Sequence, residues 1–306
     1  MGRQAKANAF VPLPIVHGVA PSYRWLPQGS SGLMLDFLVG RFPDISEAAW
    51  RNRMARGQVV DGAGAPLAPD SAVVPGGRIW YYRELDAETP IPFEHQVLFQ
   101  DEHLVVVDKP HFLPMTPAGR FLHETLLVRL KNKLGIADLV PIHRLDRETA
   151  GVVIFSSNFA SRGAYQSLFQ KRRVAKVYEA LAAPVAGLAY PHTHRSRMVE
   201  GTPFFRMQEV EGEPNSETVV EMLEMRGALA LYRLRPHTGR KHQLRVHMAA
   251  LGAPIVNDAF YPLALADKGD DFTCPLQLLA RSISFTDPLT GAVREFASLR
   301  RLDYKE

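Results

Sequence analysis

The sequence predicts an α+β protein: a mixed, largely antiparallel sheet domain preceded by a small α/β domain. Apolar runs at Val97–Phe99, Leu104–Val107 and Gly151–Phe155 are continuous rather than alternating, as in strands covered on both faces. Helical and strand-like stretches follow one another without strict alternation, which disfavours a doubly wound parallel sheet. Prolines at 90 and 92 interrupt the pattern and separate a short first part from a long second one.

Residues 1–31, broken by Pro12, Pro14, Pro21 and Pro27 and by Gly18 and Gly29, are expected to form an irregular extension. Residues 32–85 form the predicted small domain. Its first helix carries Leu33, Leu35, Phe37 and Leu38, and a second begins at Ser46 and stops at Gly57. A strand at Val59-Val60, a turn over 61–66 and a strand at Arg78–Tyr82 complete it. Residues 86–94 are expected to be a linker and 95–306 a second domain. In that domain Ser157–Lys171 has Ala160, Ala164 and Leu168 on one helical face. Strands are expected at 174–181, 218–225 and 228–235, and a helix from about His242 to Leu251, ended by Gly252.

With 306 residues and 46% hydrophobic content, the chain can bury a sizeable core, which excludes wholesale disorder. The single cysteine, Cys274, excludes an internal disulfide framework and a cysteine-rich zinc site, and fits a reducing, cytoplasmic setting. No apolar run approaches the roughly 18 to 20 residues needed to span a bilayer, and MGRQAKANAF lacks the apolar core of a signal peptide, so no membrane association is expected. A net charge of +4 is a mild bias toward anionic partners.

The densest polar constellation is His143-Arg144-Leu145-Asp146-Arg147-Glu148-Thr149, directly before the apolar strand at 151–155. A carboxylate between two arginines at the mouth of a buried strand has its ionised form favoured, which suits a nucleophile or an electrostatic stabiliser; a surface turn with local ion pairs is the plainer alternative. In 174–181, period-two alternation puts Lys176 and Tyr178 on one strand face, where the tyrosine can stack on a planar ligand or simply fill a core. Residues 235–247 hold four basic side chains and three histidines around Gly239, leading into the predicted helix. Such a turn, with Arg240, His242 and Gln243 at the helix start, suits phosphate contacts. His237, His242 and His247 recur every five residues, a spacing that suits neither helix nor strand ligation. His192 and His194 share a strand face but have no acidic ligand at a familiar spacing, so no metal is expected. No G-x-S-x-G elbow supports a serine nucleophile.

HRLDRETAGVVIF, KVYEAL and RPHTGRKHQLRVHMAALGAPIVND, in that order, resemble the RluA family of pseudouridine synthases. The resemblance extends upstream through DEHLVVVDKPHFLPMTPAG and downstream through LQLLARSISFTDPLTG, about residues 90 to 300. Residues 32–83 are similar, with weaker motifs, to the small RNA-binding domain first known from a ribosomal small-subunit protein, with Arg51, Arg53 and Arg56 as its RNA face. The resemblance implies a catalytic domain of pseudouridine synthase type that isomerises uridine in ribosomal or transfer RNA, with no cofactor or metal and no obligate protein partner, acting as a monomer. It implies Asp146 as the essential carboxylate, Tyr178 stacking on the target base, and Arg245 pairing with Asp146. Arg144 would help displace the nucleotide, and His143, Lys176, Arg240, His242 and Gln243 would complete the substrate pocket. Whether the carboxylate attacks the ribose or assists an elimination stays open. Two positions depart from the family pattern: Ala150 replaces the usual serine, and Leu279 stands where many members have histidine. The competing readings are a non-catalytic RNA-binding or ribosome-assembly factor and a nucleoside hydrolase, for which the long basic loop would be superfluous.

Overall fold

The chain divides at Glu88/Thr89 into two units in the computed structural model, which describes residues 10–85, 87–265 and 271–302. The first nine residues of the predicted extension, and Asp86 of the predicted linker, lie outside the described residues.

The first unit contains β1 (Ser22–Trp25), α1 (Met34–Arg41), α2 (Glu47–Ala55), β2 (Val59–Val60) and β3 (Arg78–Tyr81), its three strands ordered β1-β3-β2 and all antiparallel. Its core is Leu35, Leu38, Trp50, Met54, Val59 and Ile79. The Ser46 side chain accepts from Ala49 N and so caps α2. Two expectations are corrected here. The segment over 1–31 is not irregular throughout: 22–25 pairs along β3, and Leu26 is buried. Prolines and glycines flank this strand closely enough to hide a four-residue segment. The two arginines of α2 and its C-cap Arg56 do not form one solvent face either. Residues 50, 53 and 54 lie on the inward stripe of the helix, so Arg53 is buried, stacks on the Trp50 ring at 4.9 Å and pairs with Glu84 at 3.2 Å. Arg51 and Arg56 are exposed, paired with Glu47 and Glu84.

The second unit contains β4 (Gln96–Gln100), β5 (Leu104–Lys109), α3 (Leu126–Leu134), β6 (Val140–Pro141), β7 (Ala150–Ser156), α4 (Phe159–Gln170) and β8 (Val174–Ala182). These are followed by β9 (His192–Glu200), β10 (Met207–Val210), β11 (Ser216–Arg226), β12 (Leu229–Pro236), α5 (Gln243–Ala250), β13 (Leu278–Thr286) and β14 (Val293–Ala297). The strands form one sheet in the order β10-β9-β11-β12-β8-β13-β7-β5-β4, with β14 beside β13 and β6 beside β7. Every pairing is antiparallel except β13 with β7, so the sheet is mixed and largely antiparallel, as the sequence predicts. β5 and β7 are buried along their whole lengths, which is why their apolar residues run without alternation.

The predicted linker is docked rather than free from Ile91 onward. Ile91 enters the core, its backbone N–H donates to Glu124, and Arg129 donates to the carbonyls of Ile91 and Phe93. The proline spacing conceals this because the acceptors serve a guanidinium about 37 residues downstream.

The centre of the sheet is unusually close-packed. Gly151 has φ +113°, and a Cβ there would lie 2.2 Å from the Ala280 carbonyl oxygen of β13, so only glycine fits. The two departures from the family pattern meet beside it. Ala150 and Leu279 are opposite one another across the β7–β13 pairing, both fully buried, in an apolar cluster with Leu181, Leu231 and Leu302. Among the described residues no helix is long and apolar enough to cross a membrane.

Candidate active site

The loop between β6 and β7 is fixed from several sides, and this fixes Asp146. Lys109, fully buried at the end of β5, donates all three ammonium protons to the carbonyls of Pro110, Leu113 and Arg147, each at 2.9 Å. Burial lowers its pKa to about 7, opposed by the charges of Glu148 and Asp146. His111 Nδ1 lies 2.7 Å from the Glu148 carbonyl, Arg147 Nε donates to Phe112 O, and Thr149 N donates to Asp146 O.

Asp146 faces a cavity of about 480 Å³ to which all nine catalytic-domain residues predicted from the sequence contribute. β8 supplies Lys176 and Tyr178, two apart on one face, the turn from β12 into α5 supplies Arg240 and His242, and the first turn of α5 supplies Gln243 and Arg245. Arg245 is almost wholly buried. Its Nε and Nη2 hold the Asp258 carboxylate at 2.7 and 2.6 Å, and its Nη1 reaches Asp146 Oδ2 at 3.4 Å. The pair of acids therefore shares one cation unequally: Asp258 takes the two short bonds and Asp146 keeps a single long one. His242 Nε2 lies 3.8 Å from the same Asp146 oxygen, with its Nδ1 2.9 Å from the Tyr261 hydroxyl. Burial pulls the His242 pKa down to about 4 despite the Asp146 charge, so the imidazole is neutral at pH 7. Burial, reinforced by Asp146, raises the Tyr178 pKa above the ordinary phenol value, so that hydroxyl stays protonated.

Other predicted pocket residues have polar atoms committed to the protein. His143 accepts from Ile154 N and stacks on Phe169, with burial lowering its pKa to about 3. Gln243 is a clamp: its Oε1 accepts from Thr238 Oγ1 and Arg240 N, and its Nε2 donates to Glu217 O and Thr218 Oγ1. Lys176 reaches Thr238 O at 3.3 Å across the cavity wall. Arg144, Arg240 and Lys241 are exposed at the rim. A second cavity, of about 980 Å³, shares Arg172, Lys176 and Thr238 with the first and is lined also by Arg173, Arg195 and Arg235 against Glu213 and Glu217. That excess of cations suits an anionic polymer.

Sequence reasoning passed over Asp258, although it ends the quoted IVND motif, and Lys109, although its Lys-Pro turn is visible. It also dismissed an acidic neighbour for the histidines. Glu209 of β10 in fact reaches His194 at 2.9 Å and lies 3.9 Å from His247, because the β9–β10 hairpin closes a gap of 15 residues.

Residues 103–250 match the family model described as RNA pseudouridylate synthase. Over 216 residues the chain is 35% identical to the dual-specificity RNA pseudouridine synthase RluA of Vibrio vulnificus, covering 65% of this chain and 80% of that one. This chain belongs to the RluA family of RNA pseudouridine synthases. RluA of Haemophilus influenzae is 30% identical, with 65% of this chain and 90% of the relative covered. The tRNA pseudouridine(31) synthase of Saccharomyces cerevisiae is 29% identical, with 78% and 68% covered. Among solved structures, human RNA pseudouridylate synthase domain containing 4 aligns with TM-score 0.52 at 27% identity, covering 68% of this chain and 88% of that one. As an RluA-family synthase the protein is an isomerase that converts uridine to pseudouridine in RNA, which removes the non-catalytic alternative.

Proposed function

We propose that this RluA-family synthase acts on a uridine in ribosomal or transfer RNA, taken out of a loop or stem into the 480 Å³ cavity, with Asp146 as the group that carries the chemistry. The observation that carries the assignment is the unequal sharing of Arg245. Asp146 is oriented by a buried cation yet left largely uncompensated, as a carboxylate acting at an electron-deficient ribose or base needs to be. Tyr178, on the cavity wall with Asp146, packs against the detached base. Arg144 and Arg240 at the rim, and the basic second cavity, hold flanking phosphates. A ribosomal or transfer RNA target accords with the relatives, one a tRNA pseudouridine(31) synthase and others dual-specificity RNA pseudouridine synthases. Residues 32–85 serve as an RNA-binding appendage. The protein acts as a monomer in this reading, and the lone Cys274 suits the cytoplasm.

The test is Asp146→Asn in a single-turnover assay on an RNA transcript. Pseudouridine formation is expected to vanish while affinity stays within a few fold. A residual rate of a tenth of wild type removes Asp146 from the chemistry. Mapping pseudouridine in cellular RNA with and without the gene identifies the target uridine.

A further inference from the structure

We propose that His194, Glu209 and His247 form a Zn²⁺ site that pins α5 to the far end of the sheet, an assignment independent of the isomerase reading. The three side chains come from β9, β10 and α5, and one ligand atom from each lies within 4.8 Å of the others. His194 Nε2 is 2.9 Å from Glu209 Oε1, and His247 Nε2 is 3.9 Å from that same oxygen. Two imidazoles and a carboxylate are a donor set that zinc takes at about 2.0–2.2 Å, with water in the fourth position. Ligands around a tetrahedral ion at that distance stand roughly 3.3 Å apart. The 3.9 Å pair must close by about 0.6 Å and the 2.9 Å pair open by about 0.4 Å, while the two imidazole nitrogens, which lie within 4.8 Å of one another, approach by at most about 1.5 Å through rotation of the partly exposed His194 and Glu209 side chains.

The surroundings favour ligation. His194 is opposite Thr218 and Ser196 is opposite Ser216 in the β9–β11 register, giving a hydroxyl-bearing layer under α5. His247 Nδ1 lies 2.9 Å from Thr218 Oγ1, the kind of outer contact that orients a ligating imidazole. Its Nε2 meets the Ser196 and Ser216 hydroxyls at 3.2 and 3.0 Å. When Nε2 turns to the ion, those hydroxyls are left facing the metal-bound water. His194 Nε2 gives up its proton, which returns to Nδ1 through solvent, so a neutral imidazole ligates without net proton loss. Ions can enter, because His194 and Glu209 are 17% and 24% exposed while His247 is fully enclosed.

The site is structural in position. Residues two apart on an α-helix point about 200° from each other. Arg245 reaches Asp146 and Asp258 on one side of α5, and His247 reaches β9 and β11 on the other. An ion here fixes the helix that aims Arg245 without entering the reaction.

The test uses the full chain, stripped with EDTA and titrated with ZnCl₂ against a chromogenic chelator, with bound zinc counted by mass spectrometry. One zinc per chain is expected, and His194→Ala and Glu209→Gln should each weaken binding at least tenfold. Co²⁺ should give the intense visible absorption of a tetrahedral site, absent in both variants. Circular dichroism of the stripped proteins confirms that the partly exposed substitutions leave the fold intact; if one unfolds, His194→Gln replaces it. Failure of the folded wild type to retain zinc, or equal affinity in wild type and variants, overturns the assignment.

Discussion

Asp258→Asn probes the arrangement on which the active site rests. Asp258 accepts two short bonds from Arg245, and neither side chain has appreciable contact with solvent. Charge-assisted bonds contribute roughly 1.5–3 kcal/mol each, and breaking a buried pair costs about 3–5 kcal/mol. Asparagine is isosteric and keeps one acceptor, so the expected loss is about 3 kcal/mol, a large share of the roughly 5–15 kcal/mol that holds a typical domain. The consequence for catalysis is separate. Arg245, still charged and still buried, would turn its free donors to Asp146. One further charge-assisted bond to that carboxylate stabilises its ground state by about 1.5–3 kcal/mol, which slows the step it carries by roughly ten- to a hundredfold. Urea unfolding followed by extrapolation to water measures the first effect, and single-turnover pseudouridine formation at saturating enzyme measures the second. A stability loss below about 1 kcal/mol would refute the view that Asp258 neutralises Arg245. An unchanged rate alongside the expected loss would confine Asp258 to holding the fold.

Three further outcomes are expected. Tyr178→Phe keeps the ring and loses the hydroxyl, so it should capture RNA containing the target uridine better than Tyr178→Ala in a binding assay; equal capture by both argues against stacking. In the first unit, Arg51→Ala with Arg56→Ala should flatten the slope of log affinity against log salt by less than the roughly 1.4–1.8 of two unpaired phosphate contacts, because Glu47 and Glu84 already neutralise these arginines. Arg53→Ala should instead destabilise the unit, seen in its thermal midpoint, since it empties the space over Trp50. Finally, burial holds His95, His143 and His242 at about 4, 3 and 4, below the unfolded value of 6.5. The unfolded chain binds protons that the folded one refuses, so stability is full above about pH 6.5 and falls toward pH 4, by up to about 1.4 kcal/mol per pH unit for each histidine. Flat urea midpoints between pH 7 and 4.5 would contradict this.

What the sequence showed, and what it hid, follows the range of the interactions involved. β5 and β7 were legible because burial on both faces leaves an unbroken apolar signature within a few residues. β9 was not, because HTHRSRMVE alternates polar with polar and buries only Met198 fully. Asp146 and Tyr178 stand out in local residue patterns, but their roles and the pairing with Arg245 come from motif resemblance; no local pattern joins Asp146 to Arg245, 99 residues away. Arg53 was misplaced by grouping it with Arg51 and Arg56 as charges, when its spacing from Trp50 and Met54 puts it on the inward face. Gln243 looked like a ligand contact because its four hydrogen-bond partners come from other segments and from the turn itself.

Ala280 pairs with Gly151 on one side and with Tyr178 on the other, so the row that sets β7, which follows the Asp146 loop, near Tyr178's strand is closed by a residue far downstream of all of them. During synthesis Asp146, Tyr178 and Arg245 all emerge well before β13 exists to bring β7 and β8 together. Such late, long-range closure makes for slow folding. Until β13 is in place, neither the catalytic pocket nor the basic second cavity, which it also lines, is complete, so the protein gains its RNA surface and its chemistry in the same late step.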